Sequence, residues 1–352
     1  MGAATRAALL KCAAWWLQLL GTTTFLFRKE CLGQQLSSHN DSFIEREVSA
    51  RFSRSDRRGF RIAIAMNIIV TGASGYVGVA VVSALLNAGH AVKGISRHKP
   101  DAFQELRWVP GDARHMDLVE PLRGADAVVH LIGIIREIPE KQITFESMHV
   151  GITERLLLAM RSAGVKRLVH MSALGTRPNA VSQYHQTKWQ AEQLVRSADD
   201  IDATILRPSL VFGGSPPFFE LLKSLAKLPR VPVPGDGQTL FQPVSRRDIG
   251  ALIVGALGDS ASYGQTLQVG GPERFTLNQL IDLMASKVGR RNPAKIHLPL
   301  AMVGAVARLS RVLPVPITPD QLAMLTEANT TTDDAWHRWV PYPEPLSSWD
   351  TE

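Results

Sequence analysis

A glycine-rich stretch near residue 70, reading MNIIVTGASGYVG from Met66, constrains the fold of this chain most strongly. Residues 67–71 form a short apolar run rich in β-branched side chains, which is typical of a buried parallel strand. The glycines that follow at three-residue spacing are Gly72, Gly75 and Gly78. A helix-forming run over residues 79–88 comes next. Such a turn lets the backbone approach a pyrophosphate beside a helix N-terminus, so the stretch predicts a dinucleotide site. An ordinary βα turn is the alternative, and the downstream sequence weighs against it.

Further apolar runs alternate with helix-forming segments along the next hundred residues. The predicted strands are 90–96, 106–110, 127–132 and 166–171, and the longest predicted helix is 145–163. This alternation predicts an α/β fold with a Rossmann-type, doubly wound parallel sheet. Ligands on such sheets bind outside the carboxyl ends of the strands. The polar or glycine positions that fall there are Gly72, Ser96, Asp112, Gly133 and Ser172.

The end of the second predicted strand bears on which dinucleotide binds. An acidic residue at this point would bond the ribose 2′-hydroxyl of NAD and repel a 2′-phosphate. The chain instead has Ser96 and Arg97, followed by two more basic or neutral polar residues. Because a guanidinium binds phosphate oxygens in pairs, we expect NADP(H) to be favoured over NAD(H). The alternative is a solvated basic loop with no role in binding.

Tyr184 and Lys188 stand four residues apart in YHQTK and would share one face of a helix. A tyrosine phenol is a poor base at neutral pH, but a neighbouring ammonium and the positive nicotinamide of the cofactor both favour its ionised form. The pair could therefore act as a general acid/base at a carbinol or carbonyl group. An ordinary exposed Tyr–Lys pair is the alternative. After five predicted strands in this order, the catalytic interpretation is the stronger one.

At this point the chain resembles the short-chain dehydrogenase/reductase superfamily, in its extended or atypical branch. The residues that carry the resemblance are TGASGYVG at 71–78, VVHLIG at 128–133, YHQTK at 184–188 and LRPSLVFG at 206–213. Within that branch the chain is most similar to the NAD(P)H-binding accessory subunits of respiratory complex I and their bacterial epimerase/dehydratase-like relatives. This second similarity rests on HMSALG at 170–175, SQYHQTKWQAE at 182–192 and QPVSRRDI at 242–249.

The resemblance implies a bound NADP(H) and a smaller C-terminal domain that closes over it. Tyr184, Lys188 and Ser172 take the catalytic positions. The implied dinucleotide-binding residues are Gly72, Ser74, Gly75, Tyr76, Gly78, Ser96, Arg97, Asp112, Leu131, Gly133, Lys188 and Arg207. The chain departs from active members in two ways, because Ser172 is followed by Ala173 rather than a second hydroxyl, and His149 stands where asparagine is common. Both departures weaken catalysis more than cofactor binding.

Residues 1–65 differ in composition from the body of the chain. They hold ten of the 39 Lys/Arg but five of the 32 Asp/Glu, so the body is nearly neutral and predicts no nucleic-acid partner. Both cysteines, Cys12 and Cys31, lie in this leader, and the scattered histidines predict no site of their own and no metal. We interpret the leader as disordered or not native, with a mitochondrial transit segment or a membrane anchor as the alternatives.

The remaining sequence predicts further divisions of the chain. We expect a dinucleotide-binding domain at 66–205, with strands returning from about 240–270. A smaller C-terminal α/β domain for a substrate or partner would follow at 206–330, and an extended tail at 331–352. The apolar stretch 298–313 would contact a membrane or a partner subunit, or else pack in the core of the small domain.

Three functions are compatible with this sequence. The first is a complex-I-accessory-type protein that holds NADP(H) with weak or no turnover, beside a respiratory complex or membrane surface. The second is an active NADP-dependent reductase, epimerase or dehydratase acting on a sugar-nucleotide or isoprenoid-type carbonyl compound. The third is a redox-sensing regulator. The expected location is the bacterial cytoplasm, peripheral at the inner face of the membrane, or the mitochondrial matrix side if the leader is a transit segment.

Overall fold

The computed structural model describes residues 65–99, 103, 106–311 and 317–340. The predicted leader, except for Ala65, therefore lies outside the described residues, as does the end of the predicted tail. None of the helices in the described part combines the length and the apolar character needed to cross a bilayer.

A seven-stranded parallel sheet forms the centre of the structure. Numbered in chain order, its strands are β1 Asn67–Thr71, β2 Ala91–Ser96, β3 Arg107–Pro110, β4 Ala127–His130, β5 Arg167–Met171, β6 Asp202–Pro208 and β11 Thr266–Val269. Their order across the sheet is β11-β6-β5-β4-β1-β2-β3. The chain winds outward in both directions from β1, which confirms the predicted doubly wound sheet. The switch in direction lies between β1 and β4, beside the glycine turn.

Nine helices surround the sheet and continue beyond it in the described part of the chain. They are α1 Tyr76–Asn87, α2 Val119–Leu122, α3 Ile152–Ala163, α4 Gln183–Arg196, α5 Pro217–Ala226, α6 Arg246–Leu257, α7 Leu277–Lys287, α8 Leu300–Arg308 and α9 Pro319–Thr326. Helices α1 and α6 cover one face of the sheet, with Val81, Leu85 and Leu252 in that core. Helices α3 and α4 cover the other, with Leu156 and Val195. Apolar side chains at alternate strand positions thus enter two separate cores.

A third apolar core lies among the residues after β6. It is formed by side chains of α5 and α7, such as Phe219, Leu222 and Met284. The short strands here are β7 Val211–Phe212, β8 Arg230–Pro234, β9 Leu240–Phe241, β10 Val244–Ser245, β12 Phe275–Thr276 and β13 Ala294–Leu298. They form three two-stranded pairs, β7–β10, β8–β13 and β9–β12. This core lies within residues 206–330, and the smaller domain expected there remains a prediction.

Two local departures from the predicted elements affect the site. Helix α1 begins at Tyr76, three residues before the predicted start, because Gly75 serves as its N-cap. The predicted helix 145–163 is interrupted by a π-helical turn, Glu146–Gly151, before α3 begins. Wide turns of this kind often accompany functional sites, and this one carries His149.

The described part of the predicted tail packs against the body. Residues Ala335–Trp339 form a 3₁₀ turn, and the Trp336 and Trp339 side chains in it are 0% and 5% exposed. Both belong to the core that contains α6. The end of the described chain is therefore fixed by buried aromatic rings.

We expect Gly78→Ala to lower the free energy of unfolding by about 1–3 kcal/mol, the usual cost of overpacking. A Cβ at Gly78 would lie 2.2 Å from the Gly72 carbonyl oxygen, so α1 would have to move away from β1. Urea unfolding would measure this loss of stability. The expected direction is opposite to that of helix propensity, which favours alanine over glycine. Gly258→Ala, whose added Cβ has no neighbour within 4 Å, is the matched control. Equal effects of the two substitutions would contradict the prediction.

Candidate functional site

The glycine turn joins β1 to α1 at the carboxyl edge of the sheet. Gly72 has a φ of 78°, and its N–H donates to the Ile95 carbonyl oxygen at 2.9 Å. Gly75 offers no side chain to cap α1, and no acidic residue lies in the first turn of that helix. The half-buried Ser74 lies between these two glycines. The first N–H groups of α1 are therefore free of side-chain caps and suited to a pyrophosphate.

Tyr76 ties this turn to a distant loop. Its hydroxyl donates to the Gly213 carbonyl oxygen at 2.5 Å, across 137 residues of sequence. The Arg246 guanidinium lies 5.4 Å from the centre of the Tyr76 ring, within cation–π range. The structure thus places the cationic Arg246 beside the glycine turn, a contact that the sequence did not predict. Its signal in the sequence was the Arg pair in QPVSRRDI, at the start of α6.

The end of β2 has one buried and one exposed candidate residue. The Ser96 hydroxyl donates to the His98 carbonyl oxygen at 2.7 Å, and Trp108 Nε1 donates to the Ser96 carbonyl and hydroxyl oxygens. Ser96 thus holds the loop in shape. Arg97 is exposed at the same edge of the sheet. Its guanidinium is accessible to a ligand phosphate.

Asp112 follows β3 and is paired within its own loop. Arg114 donates to both Asp112 carboxylate oxygens, with the shortest distance 2.7 Å, and these bonds lower the pKa of Asp112 to about 2. The Arg114 guanidinium also donates to the carbonyl oxygens of Lys141 and Gln142. Asp112 is therefore ionised and already paired with Arg114, and its role in dinucleotide binding remains a prediction.

Lys188 lies buried between the ends of β4 and β5. Its ammonium donates to the Met171 carbonyl oxygen at 3.0 Å. A Cβ on Gly133 would come within 3.0 Å of the same nitrogen, so a side chain there would displace the ammonium. Burial lowers the pKa of Lys188 to about 8, although Glu192 opposes this shift. Lys188 and Gly133, both predicted site residues, are thus in contact at the carboxyl edge.

Tyr184 presents its ring to three aromatic neighbours. The ring meets Phe145, His149 and His185 edge-on at centroid distances of 5.9, 5.3 and 5.1 Å. Burial raises the pKa of the Tyr184 phenol to about 12. This shift comes from loss of hydration, and promotion of the phenolate by Lys188 together with a bound nicotinamide remains a prediction.

Ser172 lies in the loop after β5 and is 3% exposed. Its hydroxyl donates to the Thr176 hydroxyl at 3.3 Å, within the same loop. The next residue, Ala173, is also buried and has no hydroxyl. The structure thus directs the Ser172 hydroxyl to a neighbour in its own loop, and its role at a substrate carbonyl remains a prediction.

Three histidines converge on this edge, although the sequence analysis expected no histidine site. His130 and His170 are opposed in register on β4 and β5, and their rings stack with centroids 5.4 Å apart. His130 bonds Thr71 at 2.7 Å and Thr153 at 3.4 Å. Neither ring nitrogen of His170 has a hydrogen-bond partner among the described residues. The one feature that could have predicted this histidine pair is that the two residues lie opposite each other on β4 and β5. That feature becomes visible only when the pairing of the two strands is known.

His149 is the third histidine, on the π-helical turn. Its Nδ1 lies 2.9 Å from the Thr187 hydroxyl, and its Nε2 lies 3.2 Å from the Ile134 backbone nitrogen. Burial, reinforced by the Lys188 charge, lowers the pKa of His149 to about 2 and that of His130 to about 3. Both rings are therefore neutral at physiological pH. The histidines near Lys188 therefore surround it with polar but uncharged rings.

The last two predicted contacts have structural partners. Arg207 donates from two nitrogens to the carboxylate of Glu192, at 2.8 and 2.6 Å, and Glu192 is fully buried. This ion pair joins β6 to α4. The Leu131 N–H donates to the Thr71 carbonyl oxygen at 3.1 Å and extends the pairing of β4 with β1. Dinucleotide contacts by Arg207 and Leu131 remain predictions.

Comparison with known proteins gives a consistent result. The model of the NAD dependent epimerase/dehydratase family matches residues 68–270. The chain is 30% identical over 285 residues to NADH dehydrogenase (ubiquinone) 1 alpha subcomplex subunit 9, mitochondrial, of Arabidopsis thaliana, covering 75% of this chain and 69% of that protein. It is 28% identical over 252 residues to the mitochondrial NADH-ubiquinone oxidoreductase 40 kDa subunit of Neurospora crassa, covering 66% of this chain and 64% of that subunit.

Solved structures share the fold at lower identity. A UDP-glucuronic acid 4-epimerase from Bacillus cereus, in complex with UDP-glucuronic acid and NAD, superimposes with a TM-score of 0.61 and 22% identity over 80% of this chain and 95% of that one. A dTDP-glucose 4,6-dehydratase double mutant from Streptomyces venezuelae, with NAD bound, gives a TM-score of 0.62 and 21% identity over 81% and 94% of the two chains. These likenesses establish the fold.

We expect Lys188→Met to remove a pH dependence of stability. The pKa of Lys188 is about 8 in the folded protein and that of an unfolded lysine is about 10.4, so between these values the unfolded chain binds one more proton. Stability then rises with pH by up to about 1.4 kcal/mol per unit. Urea unfolding of dinucleotide-free protein from about pH 7 to about pH 10 would measure this slope.

The advantage of the methionine variant over the wild type should be largest near neutral pH and shrink as the pH rises towards about 10. Lys93→Met is the matched control for loss of a lysine. The Lys93 ammonium is only half-buried and donates to the Pro121 carbonyl oxygen. A wild-type minus Lys188→Met difference that stays constant across this range would contradict the assignment.

Proposed function

The chain belongs to the NAD dependent epimerase/dehydratase family, and we propose that it holds NADP(H) as a complex-I-accessory-type protein with weak or no turnover. One contrast carries this proposal. The glycine turn is built for a pyrophosphate, whereas the catalytic groups are not poised for proton transfer. The pKa of Tyr184 is raised to about 12, and the Ser172 hydroxyl is bonded within its own loop. A general base so far from its operating pH is inefficient.

The choice of NADP(H) rests on Arg97. The Bacillus and Streptomyces structures are complexes with NAD. In this chain β2 ends without an acidic residue, and Arg97 is exposed beside the glycine turn. A guanidinium there would neutralise a 2′-phosphate, while nothing at this position would repel it.

A respiratory complex is the proposed partner. The Arabidopsis and Neurospora relatives are named as subunits of NADH dehydrogenase and NADH-ubiquinone oxidoreductase, both mitochondrial. Helix α8 presents partly apolar surface, since Leu300 is 44% and the following Leu309 45% exposed. From these relatives we propose a mitochondrial location for this chain, on the matrix side.

An active epimerase, dehydratase or reductase is the second candidate function. The contact of Lys188 with Gly133 favours it, because an ammonium at this position can also hold ribose hydroxyls during turnover. In that case Tyr184 would donate or accept the substrate proton. Binding of a cationic nicotinamide would have to lower its pKa towards neutrality.

Protein starting at Met66, denatured after purification, should release NADP(H) in close to one equivalent per chain. Mass spectrometry would identify and count the released nucleotide. The same protein should oxidise NADPH negligibly with a panel of small carbonyl and sugar-nucleotide compounds. An empty site together with rapid NADPH oxidation would refute the proposal and establish the second function.

We expect Arg97→Asp to weaken NADPH binding by about tenfold or more while NADH binding changes little. A charge-assisted bond to phosphate is worth about 1.5–3 kcal/mol, and the aspartate adds repulsion. Titration of each dinucleotide, followed by its fluorescence, would measure both dissociation constants. Arg123→Asp is the matched control, since Arg123 is an exposed arginine after α2 that pairs with Glu120. Equal losses for NADPH and NADH would show that Arg97 does not read the 2′-phosphate.

A further inference from the structure

Residues Thr318–Asp333 form a segment, here called the strap, that contacts the body of the chain at three places. It consists of α9 and the extended residues after it, and α9 begins with a capping box between Thr318 and Gln321. Beyond its end, Trp339 Nε1 donates to Asp259 at 3.0 Å. A Cβ on Gly255 would lie 1.8 Å from the Trp339 carbonyl oxygen, so the chain packs directly on the backbone of α6. The chain that follows the strap is therefore anchored on α6.

Its first contact is with the helix that carries Tyr184. The Asp320 carboxylate accepts a hydrogen bond from the Gln183 N–H at 2.6 Å, across 137 residues of sequence. Gln183 is the first residue of α4 and precedes Tyr184. A carboxylate at a helix N-terminus is stabilised by the unpaired N–H groups and the helix dipole.

Its second contact is with the loop that carries Ser172. Arg177 donates to both carboxylate oxygens of Glu327, at 3.0 and 2.7 Å. The same guanidinium donates to the Gly175 carbonyl oxygen. The paired geometry makes this stronger than a single exposed ion pair, and it links the loop after β5 to the strap.

Its third contact joins several loops through one asparagine. The Asn329 side-chain oxygen accepts from the Ser209 hydroxyl at 2.5 Å and from the Leu210 N–H at 3.1 Å. Its side-chain nitrogen donates to the Leu174 carbonyl oxygen at 3.3 Å. Its N–H donates to the Leu240 carbonyl oxygen at 2.8 Å. Asn329 thus ties the loops after β5 and β6 to β9.

We propose that the strap is a specificity-determining element that closes the substrate side of the site. The loops it joins follow β5 and β6, at the carboxyl edge where open α/β sheets bind ligands. By holding these loops and the start of α4 together, the strap restricts the approach of a bulky second substrate to the half-buried Tyr184. Binding of a dinucleotide at the glycine turn would be unaffected, because none of these three contacts of the strap involves that turn. This inference rests on the proposed function and explains why a held dinucleotide would not turn over.

Acrylamide quenching of bound NADPH fluorescence tests the closure, because acrylamide is a small neutral probe of access to the nicotinamide. Glu327→Ala and Arg177→Glu should each raise the quenching constant about two- to fivefold, the effect expected from losing an exposed paired contact. The doubly exchanged Arg177→Glu/Glu327→Arg protein should return to the wild-type value. Recovery in this protein excludes misfolding as the cause.

Arg161 and Asp200 supply the matched control. They form an ion pair of similar paired geometry at 2.9 Å, away from the strap, in which the arginine is as exposed as Arg177 and the carboxylate is more exposed than Glu327. Asp200→Ala should leave quenching unchanged. Quenching that responds equally to Asp200→Ala and Glu327→Ala, or to neither, would overturn the role of the strap.

Hydrogen exchange at the Gln183 amide separates the two proposals. This amide donates to Asp320, so it should be protected in wild-type protein and exchange faster in the Glu327→Ala protein. The measurement needs no bound dinucleotide. Wild-type protein that fails to bind NADPH, but shows this change in exchange, refutes the proposed function and leaves the strap in place. Unchanged exchange in protein that binds NADPH refutes the strap alone.

Discussion

The close approach of α1 to β1 is the constraint on which the rest of the structure depends. The strand ends at Thr71 and the helix begins at Tyr76, and Gly78 in its first turn leaves no room for a side chain against the Gly72 carbonyl. Beside α1 on the same face of the sheet, a Cβ on Gly250 of α6 would lie 3.0 Å from the Ala84 side chain of α1. The strand and the two helices thus pack so closely that glycine is needed at the points of contact. This close packing holds the N-terminus of α1, which has no side-chain cap, at the carboxyl edge of the sheet.

Charge at that edge is controlled by burial rather than by opposing groups. His130, His149 and His170 are buried and neutral, and Lys188 donates to a backbone carbonyl rather than a carboxylate. A buried cation without a close carboxylate is costly, so such a site favours a ligand that brings negative charge or many oxygen acceptors. A dinucleotide has both the negative charge, on its pyrophosphate, and the oxygen acceptors, on its riboses. The neutral histidines add hydrogen-bonding capacity without adding repulsion.

Local features of the sequence predicted the fold well, and long-range features of the site could not be predicted. The glycine turn and the alternating strands are contiguous patterns, so their structure follows from periodicity and backbone sterics. The pairing of His130 with His170 depends on strand register, which apolar alternation does not specify between separate βα units. The Tyr184 pKa depends on its burial beneath residues from other elements. The bond between Asp320 and Gln183 joins residues 137 positions apart.

The position of the tryptophan anchor in the chain sets an order of events during synthesis. Chains fold from the N-terminus as they are made, and the sheet is complete with β11, at Val269. The strap and the rings of Trp336 and Trp339 are translated only after α8. The strap thus follows the last strand of the sheet by 49 residues, from Val269 to Thr318, so the strands are synthesised before the segment that contacts their loops.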